Sequence, residues 1–538
     1  MLMPLNKKII SVSIFLLVST VALSGCIIQD LLFGASFDLT DYNITDSQGF
    51  PALNLLFSAS GKVILKTYDK GNHQVDTNYF YSDGDTTLNI GSYMENIEPG
   101  DYYLEVYNKN NDEIYDKKFS LKGPSLSILS CDQKWWKNDD LYYLIGLGLT
   151  LKNTGDSPSY PYSLKLSTTS ENVTGNILPD AVLPGETKTV YCYLYHKGTF
   201  QEDDFTIQIF DKDENIISSG SFSFEVSKNI YNRYYSISAL DNTLVAPYAD
   251  FLYDYYSNLD RIYLDDYSVF VFDKYDDAYL DFLLDLIIST VDFGDFRFNL
   301  KTDKQKVEYI TSFVQGLDYK KDSNVDDSYE YPRYPVETLF NGRGGGDCED
   351  KAIFTASLLN SYGYKTALLR LPDHMAVGVK LAEDAVKGDY YIDDYDFLET
   401  TTPGFECGKV SEEEYENPSN LTVYPIKSRP LLLHEWQNDL ITTYKKTEDG
   451  DIVKVVSYTT NLGNETAENI VVEGLFYVEG EETEYNHEEV FISKLEPGDK
   501  KKTILTVEIP KSTITKFKTR VYLNGLIVDS ERSEGYFP

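Results

Sequence analysis

The chain has 538 residues, of which 42% are hydrophobic, so it is long enough for about three to five folded domains. Its formal net charge of −38 excludes a nucleic-acid-binding class, because contacts to phosphate need a basic patch and none is visible in the sequence. The charge and the 45 tyrosines are instead typical of a β-rich extracellular protein whose surface suits a salty exterior.

Residues 1–26 have the pattern of a targeting segment. Lys7 and Lys8 give a positive start, and residues 9–23 form an apolar run of about the length of a signal-peptide core. The end, Leu23-Ser24-Gly25-Cys26, resembles a lipobox of the bacterial type that also occurs in archaea. The resemblance implies cleavage before Cys26 and attachment of lipid to its thiol.

A retained N-terminal transmembrane anchor is the alternative, although residues 9–23 are short for a membrane span. In both cases, as a lipoprotein or with a retained helix, the chain is anchored at the outer face of the cell membrane. Its domains then lie outside the cell. A single lipid chain holds a protein only marginally, so a second chain or a retained helix is expected as well.

Two β units are predicted next. Residues 27–123 are predicted to form a β-sandwich, with Asp83-Gly84 and Pro99-Gly100 as turn signals. Residues 124–226 are predicted to form a second one, in which a long apolar run leads into Asn153-Thr154-Gly155. The second unit is similar to the immunoglobulin-like modules of surface proteins, while spacing alone predicts only an antiparallel sandwich.

Residues 227–432 are predicted to be a separate domain with a helical N-terminal part. Residues 279–288 have helical character, and Asp303 is a candidate cap for a helix over residues 304–315. Helices ahead of later strands predict an α+β domain.

A glycine-rich run, Gly344-Gly345-Gly346, leads into Asp347-Cys348-Glu349-Asp350 and a helix that ends before Gly363. Asp347 is a candidate N-cap, and Asp350 is placed to reach back as the acid of a capping box. Cys348 then lies in the first turn, where the helix dipole favours thiolate over thiol. The glycines allow close backbone approach and leave N–H groups for an oxyanion.

His374 opens an alternating segment, residues 374–381, that is predicted to be a strand. His374, Ala376 and Gly378 share one face of it, and these small neighbours leave room for a helix end. Two short strands are predicted after it, at residues 390–392 and 397–400. Glu399 is the candidate to orient the imidazole, the third role in a nucleophile–base–orienter set.

Residues 306–408 resemble the transglutaminase-like superfamily, in the form found in archaeal and bacterial surface proteins. The residues that carry the resemblance are Tyr-Pro-Val-Glu-Thr-Leu at 334–339, Gly-Asp-Cys-Glu-Asp-Lys at 346–351, His-Met-Ala-Val-Gly-Val at 374–379 and Glu-Thr-Thr-Thr-Pro-Gly at 399–404. The resemblance implies a papain-like α+β core with Cys348 as nucleophile and His374 as base. The family often has an Asp where Glu399 stands, and Asp393, Asp394 and Asp396 are alternative orienters.

Residues 433–538 repeat the scheme of the second β unit. A strand leads into Asn461-Leu462-Gly463, and a Pro497-Gly498 turn precedes another strand. The two units are therefore interpreted as related immunoglobulin-like sandwiches that flank the central domain. They are expected to serve as spacers or docking surfaces, with specific ligand binding as the alternative.

The remaining cysteines and short motifs give further candidates. Cys131 and Cys192 fall in one predicted sandwich and form a candidate disulfide. Cys407 is expected to be a buried structural residue. Asn-x-Thr motifs mark candidate glycosylation sites at Asn43, Asn172, Asn420 and Asn464. No zinc pattern occurs, the acidic runs lack calcium-loop spacing, and neither a metal nor a cofactor is expected.

These observations leave two hypotheses. In the first, Cys348 attacks a carboxamide or peptide carbonyl of a peptide or protein substrate at the cell surface. The acyl group then passes to water, the default acceptor, or to an amine. In the second, the chain is a catalytically silent surface protein that binds peptides or glycans or acts in adhesion. The oligomeric state is not predicted.

Overall fold

The structure of the chain is a computed structural model. It describes residues 35–47, 49–93, 99–138, 141–197, 203–225, 232–237, 242–259, 261, 266–292, 300–322, 331–342, 344–381, 390–410, 421–447, 450–480 and 483–537. These residues form 28 strands and six helices, and the chain divides into two compact units, Met1–Lys122 and Gly123–Pro538. In the described part, no helix combines the length and apolarity needed to cross a membrane. The predicted targeting segment and Cys26 lie outside it.

The first unit is a single antiparallel sheet of five strands. The strands are β1 Ser36–Ser47, β2 Phe50–Tyr68, β3 Gln74–Tyr93, β4 Gly100–Asn108 and β5 Glu113–Leu121. The long β2 pairs with β1 along its first part and with β4 along its second, while β3 follows its other edge. Residues 36–121 therefore form one continuous sheet, because β2 is long enough to pair with β1 in one half and with β4 in the other.

The second unit runs from seven strands through a region of helices and short strands to seven further strands. It begins with seven strands, β6 Leu126–Asn138, β7 Leu141–Asn153, β8 Ser163–Ser167, β9 Asn172–Asn176, β10 Thr187–Lys197, β11 Asp204–Phe210 and β12 Ile216–Ser223. Helices and short strands follow, β13 Asn232–Ile237, β14 Asn242–Pro247, α1 Asp250–Ser257, α2 Ser268–Phe272, α3 Asp277–Asp292, α4 Asp303–Gln315, β15 Asp318–Tyr319, α5 Pro335–Phe340, β16 Gly345–Gly346, α6 Cys348–Ser361, β17 Lys365–Leu371, β18 His374–Lys380, β19 Tyr391–Ile392, β20 Tyr395–Leu398 and β21 Thr422–Ile426. Seven strands end it, β22 Leu432–Thr447, β23 Gly450–Asn461, β24 Ala467–Tyr477, β25 Glu484–Leu495, β26 Lys500–Glu508, β27 Lys516–Leu523 and β28 Leu526–Arg532.

The first and last groups of seven strands have the same topology. The first group forms sheets of order β10-β7-β6 and β12-β11-β8-β9. The last group forms sheets of order β26-β23-β22 and β25-β24-β27-β28, which is the same order strand for strand. The repeated turn signals of the sequence thus belong to two sandwiches that have the same topology.

A buried asparagine has the same role in both sandwiches. Asn153 ends β7 and Asn461 ends β23, and neither side chain is exposed to solvent. Each side chain makes four hydrogen bonds to backbone atoms. The partners are Ser125 N (3.1 Å), Gly155 N (2.9 Å), Ser157 O (2.8 Å) and Val182 O (2.9 Å) for Asn153, and Leu431 N (3.2 Å), Gly463 N (3.1 Å), Glu465 O (2.7 Å) and Leu495 O (3.0 Å) for Asn461.

The fold-class prediction of a papain-like α+β domain flanked by sandwiches is wrong. The described chain is mostly β, with several sheets. The six helices of the described residues are divided between two sheets: α3 packs on β10, whereas α6, with other helices around it, packs on β17 and β18. The prediction overestimated the share of helix in the fold, because it was based on the helices around Cys348.

One hydrophobic core joins the helices to the sandwich of strands β6 to β12, the first sandwich of the second unit. Seven consecutive residues of β7 are buried, because its sheet packs on the opposite sheet with one face and on helices with the other. Trp136 of β6 lies 5.4 Å from Phe282 of α3 between ring centroids. Gly146 of β7 faces Phe251 of α1, whose ring would lie 2.8 Å from a Cβ at that position. The first sandwich and the helices therefore share one core, whereas the last sandwich has a core of its own.

Candidate active site

The glycine run seats the start of α6 against a short strand. Gly345 and Gly346 pair in parallel with β15. Gly345 has a φ of +148°, and a Cβ there would lie 2.3 Å from the carbonyl oxygen of Asp318. A Cβ on Gly346 would lie 2.2 Å from a carboxylate oxygen of Asp350. Only glycine fits these positions, as the sequence indicated, and Cys348 becomes the first residue of the helix.

The predicted capping box is not formed. Asp347 occupies the N-cap position, but its side chain makes no capping hydrogen bond. Asp350 instead binds Arg333: it accepts from the Arg333 backbone N–H at 2.8 Å and forms an ion pair with the guanidinium. Because Asp350 is fully buried, a cation satisfies its carboxylate better than a neutral backbone N–H does. Arg333 thereby fixes the first turn of α6 and was missed by the sequence analysis.

The three residues predicted to form a triad lie together. His374 is the first residue of β18, and Glu399 directly follows β20, the neighbouring strand. His374 Nε2 lies 3.1 Å from Glu399 Oε2, and the side chain of Cys348 lies near enough to the imidazole to raise the pKa of His374. Glu399 is thus the carboxylate that contacts His374, in the role for which Asp393, Asp394 and Asp396 were the alternatives.

Glu399 is held in place by the loop that follows it. Its Oε1 atom accepts from the Thr401 backbone N–H at 2.7 Å and from the Thr401 hydroxyl at 2.5 Å. Its other oxygen, Oε2, is thus free to face His374. The side chain of Glu399 is 10% exposed and that of His374 is 16% exposed, so water screens their attraction only weakly.

The electrostatics of the pair favour a charged imidazole. Burial disfavours the imidazolium, but the hydrogen bonds to Cys348 and Glu399 outweigh this effect and raise the pKa of His374 to about 9. Burial likewise disfavours the Glu399 carboxylate, yet the bonds from His374 and Thr401 lower its pKa to about 2. At neutral pH the site therefore holds an imidazolium between a carboxylate and the sulfur of Cys348.

A carboxylate that the sequence analysis missed also faces the thiol. Cys348 Sγ donates to Glu349 Oε2 at 3.3 Å, and Glu349 is buried. Carboxylate oxygens of Asp322, Asp347 and Glu349 lie within 4.8 Å of one another, a spacing that could hold a metal ion. Elsewhere in the described residues, Glu473, His487 and Glu489 form a similar group.

The predicted disulfide is wrong, because Cys131 and Cys192 are both free thiols. They lie on β6 and β10, which flank β7 on opposite sides. Two strand spacings separate these strands by roughly 10 Å, which exceeds the distance a disulfide spans. Burial raises the pKa of Cys131 and of Cys407 to about 12 and that of Cys192 still further, so these thiols are poor nucleophiles.

Of the candidate glycosylation sites, Asn43, Asn172 and Asn464 are exposed, as a glycan would require. Asn420 and the candidate lipidation site, Cys26, lie outside the described residues.

Comparisons with known proteins give no family assignment. No family model matches the chain, and no curated protein matches it. A solved structure of red sea bream transglutaminase aligns with 72% of this chain and 79% of its own length, at 11% identity and a TM-score of 0.17. An exo-chitosanase from Amycolatopsis orientalis aligns with 34% of this chain and 26% of its own, at 11% identity and a TM-score of 0.15.

The YadV chaperone aligns with 35% of this chain and 99% of its own, at 8% identity and a TM-score of 0.13. The chain thus has a weak structural neighbour among the transglutaminases. TM-scores this low support no argument about fold or activity, so the hypothesis of function depends on the site itself.

Proposed function

We propose that the chain is a transglutaminase-like cysteine enzyme that transfers or hydrolyses acyl groups of peptide carboxamides. The observation that carries this proposal is the 3.1 Å contact between His374 and Glu399 with Cys348 beside the imidazole, near enough to raise the pKa of His374. A neutral thiol is a weak nucleophile, and an adjacent imidazolium stabilises the thiolate that attacks. Glu399 holds that imidazole in one orientation and balances its charge.

The first half-reaction forms a thioester. The Cys348 thiolate attacks the carbonyl carbon of a carboxamide, and the tetrahedral intermediate collapses with cleavage of the C–N bond. His374 donates its proton to the departing nitrogen, which leaves as ammonia or an amine. The imidazole is then neutral and ready to act as a base.

The second half-reaction releases the acyl group. Water or a primary amine attacks the thioester, and His374 takes the proton from this nucleophile. The C–S bond breaks and the thiolate of Cys348 is regenerated, which restores the thiolate–imidazolium pair. Water gives a carboxylic acid and an amine gives a crosslinked amide. We take water as the default acceptor because it is always present.

The first test is the rate of Cys348 alkylation from pH 5 to 10 in the full-length chain, with and without His374→Ala. Peptide mapping isolates the Cys348 signal, and buried Cys407 is the internal control. A rate that stays high well below the free-thiol pKa of about 8.5, and falls in the variant, supports the enzyme. A profile of an ordinary thiol in both proteins refutes it.

A second candidate function is a silent binding module that uses the same surface for peptides or glycans. The contact that favours it is the 3.3 Å hydrogen bond from Cys348 to the buried Glu349, because a carboxylate beside the sulfur opposes a thiolate. A glutamine peptide supplied with and without a primary amine distinguishes the two. Ammonia release that needs Cys348 supports the enzyme, whereas saturable binding without release supports the module.

We also propose that lipid at Cys26 anchors the chain to the outer face of the membrane, as its lipobox-like sequence implies. Cys26→Ser should then release the chain from the membrane fraction of an expressing cell. Equal membrane retention of wild type and variant would favour the retained-helix alternative.

A further inference from the structure

Lys351 is a buried cation beside the candidate triad. It lies on α6 three residues after Cys348, so both side chains lie on the same side of the helix. Its exposed fraction is 0%. A lysine is rarely buried completely without specific partners, because removing its charge from water is costly.

The ammonium group of Lys351 is matched to three backbone carbonyls. Its Nζ atom donates to Leu317 O at 2.7 Å, to Gln315 O at 3.4 Å and to Thr401 O at 3.5 Å. Three N–H donors thus meet three acceptors. Two of these acceptors lie at the C-terminal end of α4, where the helix dipole also favours a cation. The third lies in the loop after Glu399.

These contacts close a ring of interactions through the site. Thr401, whose carbonyl oxygen contacts Lys351, donates its own N–H and hydroxyl to Glu399. Glu399 contacts His374, Cys348 lies near enough to His374 to raise its pKa, and one helical turn leads from Cys348 back to Lys351. Lys351 therefore fixes the distance between α6 and the loop that follows Glu399.

Gln315 supports the same loop from α4. Its side-chain Nε2 donates to the carbonyl oxygen of Glu399 at 2.7 Å, and its Oε1 accepts from the backbone N–H of Gly404 at 3.2 Å. Gln315 is buried, and its own carbonyl oxygen is one of the Lys351 acceptors. Lys351 and Gln315 together connect three segments that are distant in sequence.

We propose that Lys351 is a positioning residue, which clamps the loop after Glu399 onto the helix of Cys348 and so holds Glu399 against His374. The inference deepens the proposed function and rests on it for its consequence in catalysis. The geometric claim, that Lys351 sets the His374–Glu399 contact, is measurable whether or not Cys348 reacts.

The charges near Lys351 allow a test to separate two effects of replacing it, namely the loss of a cation and the displacement of Glu399. Burial lowers the pKa of Lys351 to about 8, while Glu399 and Asp318 oppose this shift, so most of the charge is retained at pH 7. Loss of the cation alone would remove a like charge from the neighbourhood of His374 and raise the His374 pKa. Displacement of Glu399 would instead lower it, since Glu399 is one of the groups that raise it.

The experiment is a histidine NMR titration of the full-length chain labelled at histidine. The chain has five histidines, and His374→Gln assigns the relevant signal. In Lys351→Met we expect the midpoint of His374 to fall by about one pH unit, and in Lys351→Arg to stay near wild type. Lys454→Met is the matched control, because it removes a buried lysine from the last sandwich and should not move the midpoint.

An unchanged or raised midpoint in Lys351→Met, with the fold intact by circular dichroism, would overturn the proposal. If Lys351→Met does not fold, Lys351→Gln keeps an amide donor without charge and should give a midpoint below that of Lys351→Arg. Equal midpoints in these two variants would also overturn it. A shifted midpoint in a chain whose Cys348 behaves as an ordinary thiol would retain the positioning role and refute only the enzyme.

Discussion

At the scale of single residues, two groups compete for the proton of Cys348. His374 lies near enough to the thiol for Cys348 to raise the pKa of the imidazole, and the thiol donates a hydrogen bond to Glu349, whose Oε2 lies 3.3 Å from the sulfur. The imidazolium stabilises a thiolate, whereas the carboxylate opposes one by like-charge repulsion in a buried site. The reactivity of Cys348 therefore depends on the balance between these two neighbours.

Glu349→Gln tests this balance directly. Glutamine has nearly the same shape and removes the negative charge, so we expect the alkylation rate of Cys348 at pH 7 to rise by about threefold to tenfold. The measurement is the second-order rate with iodoacetamide, by peptide mapping. Glu308→Gln is the control, because that carboxylate accepts the Cys407 backbone N–H at 3.0 Å. A slower Cys348 in Glu349→Gln would show that Glu349 assists the thiol.

The contact between His374 and Glu399 should also give stability in a defined pH window. The pKa of Glu399 is lowered from 4.5 to about 2, so its contribution is complete above pH 4.5 and is lost as the pH falls through 2. The pKa of His374 is raised from 6.5 to about 9, so its contribution is complete below pH 6.5 and is lost as the pH rises through 9.

Glu399→Gln should therefore cost most stability between pH 4.5 and 6.5. We expect a loss of about 2 kcal/mol in the free energy of unfolding there, and a smaller loss on either side. Urea unfolding followed by circular dichroism from pH 3 to 9 measures it. The exposed Glu406→Gln should show no such maximum. A loss that is independent of pH would mean that the pair does not titrate as the geometry implies.

The sequence identified Cys348, His374 and Glu399 as candidates because each lies within a short local motif. Arg333, Glu349 and Lys351 were missed, because their roles depend on contacts between segments distant in sequence or on a side-chain rotamer. For Lys351 one signal was available, namely a lysine on the buried side of a helix whose neighbours Ala352 and Ile353 are apolar. An alternating or helical pattern cannot show which carbonyls such a lysine would meet.

At the scale of elements, the two faces of β18 have different neighbours. The small residues on the face of His374 were expected to leave room for a helix end, and Cys348 at the start of α6 lies near His374. Val377 and Val379, on the other face of β18, belong to one buried core with Ile353 of α6. Gly378 makes room for the neighbouring strand, since a Cβ there would lie 2.8 Å from Cβ of Tyr395. Small residues indicate that a helix or a strand packs closely on that face, but the sequence alone does not show which element it is.

The Asn-x-Gly turns of the two sandwiches were predicted correctly as turns, but their larger role was not visible. Gly155 lies against the backbone of residues 123–125, and Gly463 lies against that of residues 429–431. A Cβ would meet a carbonyl oxygen at 2.3 Å in the first case and 2.2 Å in the second. Each asparagine therefore joins the end of one strand to the chain entering the sandwich, about 30 residues earlier.

Asn461→Ala should accordingly destabilise the last sandwich strongly. It removes four hydrogen bonds and leaves buried backbone groups without partners, which we expect to cost about 2–4 kcal/mol. Urea unfolding monitored at Trp436, which packs against the core of that sandwich, gives the value. The control is Asn464→Ala, because Asn464 is exposed and accepts one backbone bond at 3.0 Å. Similar losses in the two variants would contradict the role of Asn461.

At the scale of the whole molecule, the sequence predicted separate domains, whereas the second unit has a core that crosses their boundaries. Trp136 of the first sandwich, Phe251 of α1 and Phe282 of α3 belong to one buried cluster with the residues around α6. The sequence could not show this, because a strand buried on both faces has the same apolar pattern whether sheet or helix covers it. The candidate site is consequently supported on one side by a sandwich.

This shared core predicts that the first sandwich and the helices unfold together. Phe282→Ala removes a ring that is 1% exposed and should cost about 3–5 kcal/mol. Trp135, inside the sandwich, and Trp136, in the shared core, should then unfold at the same lower urea concentration, as measured in variants that keep one tryptophan each. Phe476→Ala, in the core of the last sandwich, is the control and should act mainly on Trp436. A transition of Trp135 that stays at its original midpoint in Phe282→Ala would mean that the sandwich folds independently of the helices.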